Sequence, residues 1–372
     1  MARETDGREK NVFGYLTHEF ETFDQRPLGD VDSLILACLS YFQLPAEAEA
    51  ARTEEGMDLR DLFRAEWLEG MTGGLWGPAG LSRLLACVAA SPRMRGIRLS
   101  CYVEDLDAAR EKQFSACTLR LPGGDAYVSF RGTDNTLVGW KEDFNMAFQY
   151  PVPAQVTAAD YLARVAALWQ NVPIVLTGHS KGGNLAVYAA MNAEDDVKDR
   201  IERIYSLDGP GFPEAVVNSF EYASVSDRIV KIVPDSSVVG MVLETPERCM
   251  VVKSDVEGIM QHFAFSWQMH GGEFDKVEDV ASSSVTFNKA LNKWLANLSK
   301  EQRERAVDAL FAVLEASGAG SISAMMAAGP KVIPEMLGTY VGLSGEDRRN
   351  LNQALAIMLQ AALARNPKVR RK

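Results

Sequence analysis

The chain has 372 residues, 47% hydrophobic and 24% charged, a composition that argues against a disordered or fibrous protein. Its formal net charge of -11 and its pI near 5.1 argue against a nucleic-acid partner, because phosphate binding requires a clustered excess of Lys and Arg. The sequence contains neither an apolar run typical of a signal sequence nor the roughly 18 uninterrupted apolar residues of a transmembrane helix. We therefore expect a soluble, cytoplasmic protein.

The cysteines are odd in number, widely spaced and set in apolar surroundings, with no Cys-x-x-Cys pair. This pattern favours reduced core residues over disulfides or metal ligands. The five residues are Cys38, Cys87, Cys101, Cys117 and Cys249. The sequence thus implies neither a metal nor a cofactor.

The first hundred residues are predicted to be mostly helical. Apolar residues recur at helical spacing over 28–44. A glycine-rich break at 70–77 precedes a second helix around Leu81 to Ala89. We assign residues 1–27 to an N-terminal arm and 28–95 to a helical region that leads into a larger domain.

From Ser115 the pattern changes to that of an α/β domain. Two strand-like runs joined by Pro-Gly-Gly-Asp predict a β-hairpin over 115–131. Beyond it, strand-like runs alternate with helical segments, which is typical of a largely parallel sheet flanked by helices. The predicted strands are Val172–Thr177, Arg203–Leu207, Ile229–Val233 and Cys249–Lys253, and the first of them is followed by a helix at Asn184–Met191.

The rest of the chain is predicted to be a helical extension over 296–372, with helices at 301–315 and 346–364. It closes in a basic tail, Lys368-Val-Arg-Arg-Lys372. The tail is compatible with binding to an anionic surface, although a solvated chain end is the favoured interpretation.

The most specific motif is Gly178-His179-Ser180-Lys181-Gly182, which lies between a buried strand and a helix. Such an elbow strains the serine backbone, and side chains at the two glycines would collide with the neighbouring strand or helix. The following helix directs its N–H groups toward a developing oxyanion. Ser180 is therefore the predicted nucleophile. The N–H of Lys181 is one predicted oxyanion donor, and we expect the Lys181 side chain to be exposed.

A second oxyanion donor is predicted in the loop that follows Phe130. Gly132 allows close approach of the backbone, and Thr133 offers both its N–H and its hydroxyl. An ordinary turn at the end of a strand is the alternative. The next segment, 134–150, interleaves aromatic and acidic residues, so it is either a lid or a helix with a buried aromatic face.

The general base is chosen from four histidines, His18, His179, His262 and His270. His18 precedes the core, and His179 within the elbow is expected to point away from Ser180. The base comes last in the chain order of this kind of site, and His262 follows the last predicted strand. We therefore predict His262 as the base and interpret His270 as a surface histidine.

The acid is chosen from two aspartates, Asp208 and Asp235, each of which follows a predicted strand. Both fit the order Ser, Asp, His. Gly209-Pro210-Gly211 would hold the Asp208 carboxylate in a rigid turn, whereas Asp235 lies in a Ser-rich loop. We predict Asp208 and retain Asp235 as the alternative.

These motifs resemble those of the class 3 lipases, through Phe130-Arg-Gly-Thr133, Trp140, Asp143 and the Gly-His-Ser-Lys-Gly-Gly elbow. They are still more similar to those of a bacterial lipase-like family called Mbeg-like, through Asp208-Gly-Pro-Gly-Phe212 and Gln261-His262 with Phe265-Ser-Trp267. The resemblance spans roughly residues 28–294. It implies an α/β-hydrolase fold and a Ser-His-acid triad, but no particular substrate. Asp235 matches the acid position of class 3 lipases, and Asp208 that of pancreatic-type lipases.

Together these observations predict an α/β-hydrolase domain at 28–295 with its catalytic core at 115–270. The predicted function is hydrolysis of a carboxylic ester, of a lipid or another acyl compound, through an acyl-enzyme on Ser180. Thioester hydrolysis or acyl transfer would use the same groups. A hydrolase-fold interaction protein without turnover is the remaining alternative. The substrate and the oligomeric state stay open.

Overall fold

A computed structural model describes residues 9–73 and 77–363 of the chain. The basic tail at 368–372, residues 74–76 of the glycine-rich break and residues 1–8 of the N-terminal arm lie outside the described residues. The helices are α1 (Val12–Leu16), α2 (Asp30–Leu39), α3 (Ala65–Thr72), α4 (Pro78–Ala90), α5 (Leu137–Asn145), α6 (Pro153–Leu168), α7 (Lys181–Met191), α8 (Asp195–Lys198), α9 (Glu214–Val217), α10 (Phe220–Ala223), α11 (Ser282–Ala296), α12 (Lys300–Glu315), α13 (Ile322–Ala328), α14 (Ile333–Gly342) and α15 (Gly345–Leu363).

The strands are β1 (Met57–Asp58), β2 (Arg98–Asp107), β3 (Lys112–Arg120), β4 (Ala126–Phe130), β5 (Ile174–His179), β6 (Ile201–Leu207), β7 (Ile229–Pro234), β8 (Met250–Val252), β9 (Met269–His270), β10 (Glu273–Phe274) and β11 (Lys276–Val277). Short 3-10 helices lie at Glu49–Arg52, Leu59–Leu62, Ser226–Arg228, Val239–Met241, Gly258–His262, Ala264–Ser266 and Gly329–Val332. The predicted helices and strands of the α/β region are all present, with ends shifted by a few residues.

The central sheet has the strand order β1-β2-β3-β4-β5-β6-β7-β8-β11 within the described residues. Strands β4 to β8 run parallel, whereas β1, β2, β3 and β11 pair antiparallel to their neighbours. The hairpin of β3 and β4 is the predicted one. Strand β2 is absent from the sequence-based prediction, because Glu104, Asp105 and Asp107 interrupt any apolar run in its second half.

The sheet is covered by helices on both faces, and the side chains of successive residues in each strand point to opposite faces. Tyr127 and Val175 lie in one buried cluster with α2 and α4. Their chain neighbours Val128 and Leu176 lie in a second buried cluster with α6 and α7. Near-continuous burial of the central strands is expected for a parallel sheet packed on both sides. This is the α/β-hydrolase fold that the sequence predicts.

The described segments nearest the two ends of the chain also pack against this domain. The described part of the N-terminal arm contains α1, whose residues Val12 and Leu16 are buried in the same cluster as α2 and α4. Helix α12 contacts α5, and α15 contacts the 3-10 helix Gly258–His262. The division of the chain at residues 28 and 296 stays a prediction. No helix within 9–73 and 77–363 is long and apolar enough to cross a membrane.

Candidate active site

The predicted elbow joins β5 to α7 at Ser180, which has φ 59° and ψ -134°. A positive φ is rare for residues other than glycine, so the backbone is strained at this residue. A Cβ at Gly178 would lie 2.1 Å from the carbonyl carbon of Gly182, and a Cβ at Gly182 would lie 2.1 Å from the carbonyl oxygen of Phe130. The elbow therefore requires glycine at both positions, as the sequence predicts.

Asp208, the residue that follows strand β6, and His262 are hydrogen-bonded to each other beside the elbow. The backbone N–H of Ser180 donates to the carbonyl of Leu207, the last residue of the adjacent strand β6. The His262 Nδ1 lies 2.6 Å from Asp208 Oδ2. A carboxylate oxygen only accepts, so Nδ1 carries a proton, and in the neutral form of the ring Nε2 is then without one. This is the tautomer that a general base for a serine needs.

Asp208 is fully buried, and its carboxylate is held from both sides. Its Oδ1 accepts from the hydroxyl of Ser237 and from the Gly240 N–H at 3.1 Å. A Cβ at Gly240 would lie 2.3 Å from that oxygen, so the loop needs glycine there. Burial raises the pKa of Asp208, but the hydrogen bond and charge of His262 and the bond from Ser237 outweigh it. The pKa of Asp208 is therefore lowered, and the carboxylate is ionised at neutral pH.

The alternative acid, Asp235, has different partners. Its backbone N–H donates to Val252 at 2.9 Å, and its carbonyl accepts from Ala281 at 2.6 Å. Its side-chain Oδ1 is buried without a hydrogen-bond partner among the described residues. The Ser-rich loop around Asp235 nevertheless serves the site, because Ser237 from this loop binds the Asp208 carboxylate. Sequence reasoning missed that contribution.

His179 contacts His262, the predicted base, and the sequence analysis missed this contact. Its Nε2 lies 2.8 Å from the carbonyl oxygen of His262, and its Nδ1 lies 3.0 Å from the hydroxyl of Tyr41. Burial and the neighbouring His262 lower the pKa of His179 to about 3, so the ring is neutral. A carbonyl only accepts, so Nε2 donates and Nδ1 accepts from Tyr41. His179 thereby holds the backbone of His262.

We expect His179→Phe to lower kcat about tenfold with little change in KM, because one lost hydrogen bond of about 1.4 kcal/mol loosens the base. Tyr41→Phe is the matched control, since it leaves the bond between His179 and His262 in place. Steady-state kinetics over a range of pH would measure both. Equal kcat in His179→Phe and the unmodified protein would exclude this positioning role.

Lys181 corrects a sequence-based expectation, because its side chain is buried rather than exposed. Its Nζ donates to Glu142 Oε2 at 2.9 Å. It also donates to two oxygens of Gln113, the backbone carbonyl at 2.9 Å and the side-chain Oε1 at 2.7 Å. Glu142 is also buried, and its carboxylate accepts the backbone N–H groups of Gln113 and Ala154. The ion pair thus fixes α5 against the elbow. Burial lowers the pKa of Lys181, but Glu142 and Asp143 raise it by more.

Lys181→Met should cost about 3–5 kcal/mol in the free energy of unfolding, because it leaves the Glu142 charge buried without its partner. Urea denaturation followed by circular dichroism would measure the loss. The matched control is Lys141→Met, which breaks ion pairs to the more exposed Glu111 and Asp308 and should cost less than about 1 kcal/mol. Equal losses would show that the buried pair contributes no more than a surface pair.

The predicted oxyanion loop passes directly beside the elbow. A Cβ at Gly132 would lie 2.6 Å from the His179 carbonyl oxygen and 3.0 Å from Ser180 Cβ. The Thr133 hydroxyl donates to Asp143 Oδ2, so its proton is not directed at a substrate as the sequence analysis proposed. Burial raises the pKa of Asp143 to about 6, although Lys181 opposes this. The backbone N–H groups of Thr133 and Lys181 remain the candidate oxyanion donors.

The segment that follows this loop forms helix α5. The rings of Phe144 on α5 and Phe311 on α12 lie 5.7 Å apart, edge to face. Trp140, Phe144 and Phe148 are each half-buried. In this structure the segment is therefore a packed helix.

The loop that carries His262 is fixed by an aromatic residue. Trp267 is fully buried, and its Nε1 donates to the carbonyl of Gln261 at 2.8 Å. His270 is exposed on β9, consistent with a surface histidine.

Comparison with known proteins gives one family match. No curated protein matches the sequence. Similar solved structures include a fungal lipase with an unusual buried polar cluster, at TM-score 0.40 and 14% identity over 67% of this chain and 84% of the lipase. The lipase from Rhizopus microsporus var. chinensis gives a TM-score of 0.36 and 15% identity over 66% of this chain and 90% of that lipase. Lip2 lipase from Yarrowia lipolytica gives a TM-score of 0.33 and 15% identity over 65% of this chain and 83% of that lipase. The Mbeg1-like family matches residues 88–312, which include Ser180, Asp208 and His262, and this chain therefore belongs to that family.

Proposed function

We propose that this protein is a serine hydrolase that cleaves carboxylic esters through an acyl-enzyme on Ser180. The observation that carries the proposal is the 2.6 Å hydrogen bond between His262 and Asp208 at the edge of the sheet where the Ser180 elbow lies. The strained serine, the base in its required tautomer and an ionised acid are the parts that nucleophilic catalysis needs.

In the proposed reaction, neutral His262 takes the proton of Ser180 as Oγ attacks the ester carbonyl carbon. Asp208 stabilises the resulting imidazolium. The N–H groups of Lys181 and Thr133 stabilise the oxyanion. His262 then protonates the leaving alcohol, and the acyl group stays on Ser180. A water molecule, deprotonated by His262, releases the acid and restores the serine.

The proposed substrate class is a lipid ester or another acyl ester. Thioester hydrolysis and acyl transfer would use the same groups with a different leaving group or acceptor. A fluorophosphonate probe tests the chemistry without knowledge of the substrate, since it phosphonylates an activated serine. We expect the intact mass to rise by one probe less HF, because fluoride leaves as the serine oxygen bonds to phosphorus, and we expect the modified peptide to contain Ser180. If the probe does not label the protein and the protein does not hydrolyse p-nitrophenyl esters, the chain is a hydrolase-fold protein without activity.

A panel of matched acyl esters and acyl thioesters, with and without an alcohol acceptor, separates the chemical alternatives. Faster release from the esters, with the free acid as product, supports the proposal. Faster release from thioesters, or transfer to the alcohol, would reassign the activity.

The pH dependence of kcat/KM tests the base. Activity should rise with pH as His262 loses its proton, because only the neutral ring accepts from Ser180. The lowered pKa of Asp208 and the pKa of His179 near 3 keep both groups out of this transition. His262→Ala should remove the rise along with most of the activity, whereas His270→Ala should leave the profile unchanged. The reverse pattern would move the triad to His270.

A further inference from the structure

The C-terminal extension is hydrogen-bonded to the oxyanion loop, which we define as residues 131–136 between β4 and α5. Two backbone bonds of 3.0 and 3.1 Å pair residues 135–137 with residues 320–322 in an antiparallel bridge. We call residues 320–323 the C-terminal clamp. Asn135 and Ser323, which contact each other across this pairing, are 188 positions apart in the chain. The oxyanion loop is therefore attached to a segment that lies far from it in the sequence.

The side chain of Asn135 strengthens this attachment with two further hydrogen bonds. Its Oδ1 accepts from the backbone N–H of Ser323 at 3.2 Å, and its Nδ2 donates to the Ser323 hydroxyl. Only 5% of the Asn135 surface is exposed, and burial of an amide without partners costs free energy. Since Ser323 binds both ends of the amide, the clamp determines where the Asn135 side chain lies.

The clamped loop lies against the nucleophile elbow. A Cβ at Gly132 would lie 3.0 Å from the Cβ of Ser180, and the next residue, Thr133, carries the N–H proposed for the oxyanion. The Thr133 hydroxyl donates to Asp143 on α5. Two positions further along the chain, Asn135 binds the clamp. The position of Thr133 thus depends on one anchor in the catalytic domain and on a second one in the C-terminal extension.

The clamp lies beyond the family match, which ends at residue 312. Stabilisation of an oxyanion requires that its donors already be in place when the negative charge develops. A displacement of about 1 Å can cost a large part of the effect. A segment outside the family match is therefore placed to affect the chemistry at Ser180.

We propose that Asn135 and Ser323 are positioning residues, which hold the oxyanion loop so that the Thr133 N–H faces the developing oxyanion. On this proposal the C-terminal extension is part of the active site. The inference rests on the proposed function, because it assigns these residues a role in ester cleavage at Ser180. The attachment of the loop to the clamp does not depend on catalysis, so it can be measured separately.

The first test is the kinetics of Asn135→Ala in the full-length protein. We expect kcat/KM for p-nitrophenyl acetate to fall about tenfold, because a displaced donor loses only part of the roughly 10²–10³-fold effect of a deleted one. Octyl trifluoromethyl ketone supplies a readout without turnover. Ser180 Oγ adds to its carbonyl carbon, the serine proton passes to His262, and the resulting oxyanion needs the same donors. Its inhibition constant should therefore rise by the same factor as kcat/KM falls.

Two serines of the clamp provide a matched pair of variants. Ser323→Ala removes the hydroxyl that binds Asn135 and should lower kcat/KM about threefold, whereas Ser323→Thr keeps the hydroxyl and should keep kcat/KM at the unmodified value. Ser321→Ala is the control, since the Ser321 hydroxyl accepts from the Ala324 N–H at 3.2 Å and caps α13. It should lower the melting temperature slightly without changing kcat/KM or inhibition by the ketone.

Hydrogen–deuterium exchange tests the attachment without any substrate. Asn135→Ala should speed exchange in the peptides that cover residues 131–137 by about tenfold and leave exchange in α7 unchanged. If the unmodified protein neither hydrolyses esters nor reacts with the fluorophosphonate while exchange still accelerates in the variant, the proposed function fails and the attachment stands.

Three results would overturn the positioning role. The first is an unchanged kcat/KM and an unchanged inhibition constant for the ketone in both Asn135→Ala and Ser323→Ala. The second is an equal loss in Ser321→Ala and Ser323→Ala, since this would trace the effect to α13 as a whole. The third is unaltered exchange in the oxyanion loop of Asn135→Ala. If Asn135→Ala does not fold, the comparison of Ser323→Ala with Ser323→Thr decides, because Ser323 is exposed.

Discussion

Replacement of Ser180 by alanine is expected to lower kcat on a carboxylic ester by on the order of 10⁴-fold or more and to abolish labelling by a fluorophosphonate. The reason is that the serine oxygen forms the covalent bond to the acyl group, and no other described side chain at the elbow can replace it in that role. The melting temperature should change little, because only one oxygen atom is removed. Kinetics, intact mass and thermal unfolding measure the three quantities.

The control for this prediction is Ser91→Ala, which changes another buried serine, at the end of α4. It should leave turnover and labelling unaltered. Undiminished turnover in Ser180→Ala would remove this residue from the mechanism, whatever the labelling shows.

Replacement of Asp208 by asparagine should lower kcat by roughly 10⁴-fold while the fold stays intact. An amide at this position can donate to His262 Nδ1, which favours the tautomer with its proton on Nε2 and so removes the acceptor for Ser180. The asparagine oxygen can still accept from Ser237 and Gly240. Asparagine also tolerates the left-handed backbone at this residue, where φ is 47°. The activity loss should therefore occur without a comparable loss of stability.

Asp235→Asn is the matched variant, since it makes the same chemical change at the end of the next strand. We expect a small effect, because His262 Nδ1 is hydrogen-bonded to Asp208 and not to Asp235. The loop around Asp235 is anchored by hydrogen bonds of the Asp235 backbone, and the substitution retains these bonds. A large loss in Asp235→Asn with a small loss in Asp208→Asn would transfer the role of acid to Asp235.

The features that the sequence predicts correctly depend on neighbouring residues. The strand, the Gly-x-Ser-x-Gly turn and the helix around Ser180 are contiguous, so hydrophobic periodicity and glycine spacing suffice to predict the elbow. The hairpin of β3 and β4 is likewise predicted by its turn residues and its alternating pattern. The roles assigned to His262 and Asp208 rest on chain order, and they stay predictions until the variants are measured.

The features that the sequence does not predict depend on contacts between distant residues. Lys181 and Glu142 are 39 positions apart, and nothing in either local pattern indicates that they form a buried ion pair. Ser237 and Asp208 are 29 positions apart, so a Ser-rich loop could not be recognised as a set of donors for the acid. A lysine in the first turn of a helix also opposes the helix dipole, and that unfavourable position was the one available indication of a special role.

The ion pair between Lys181 and Glu142 has a consequence for the evolution of this family. A mutation at either position alone leaves an unpaired charge in the core, so the two positions should vary together rather than independently. In a homologue whose elbow carries an apolar residue in place of Lys181, the position of Glu142 should hold an uncharged residue, and other groups must then bind the N–H groups of Gln113 and Ala154. Ancestral sequences that separate the two substitutions should encode the least stable members of the lineage.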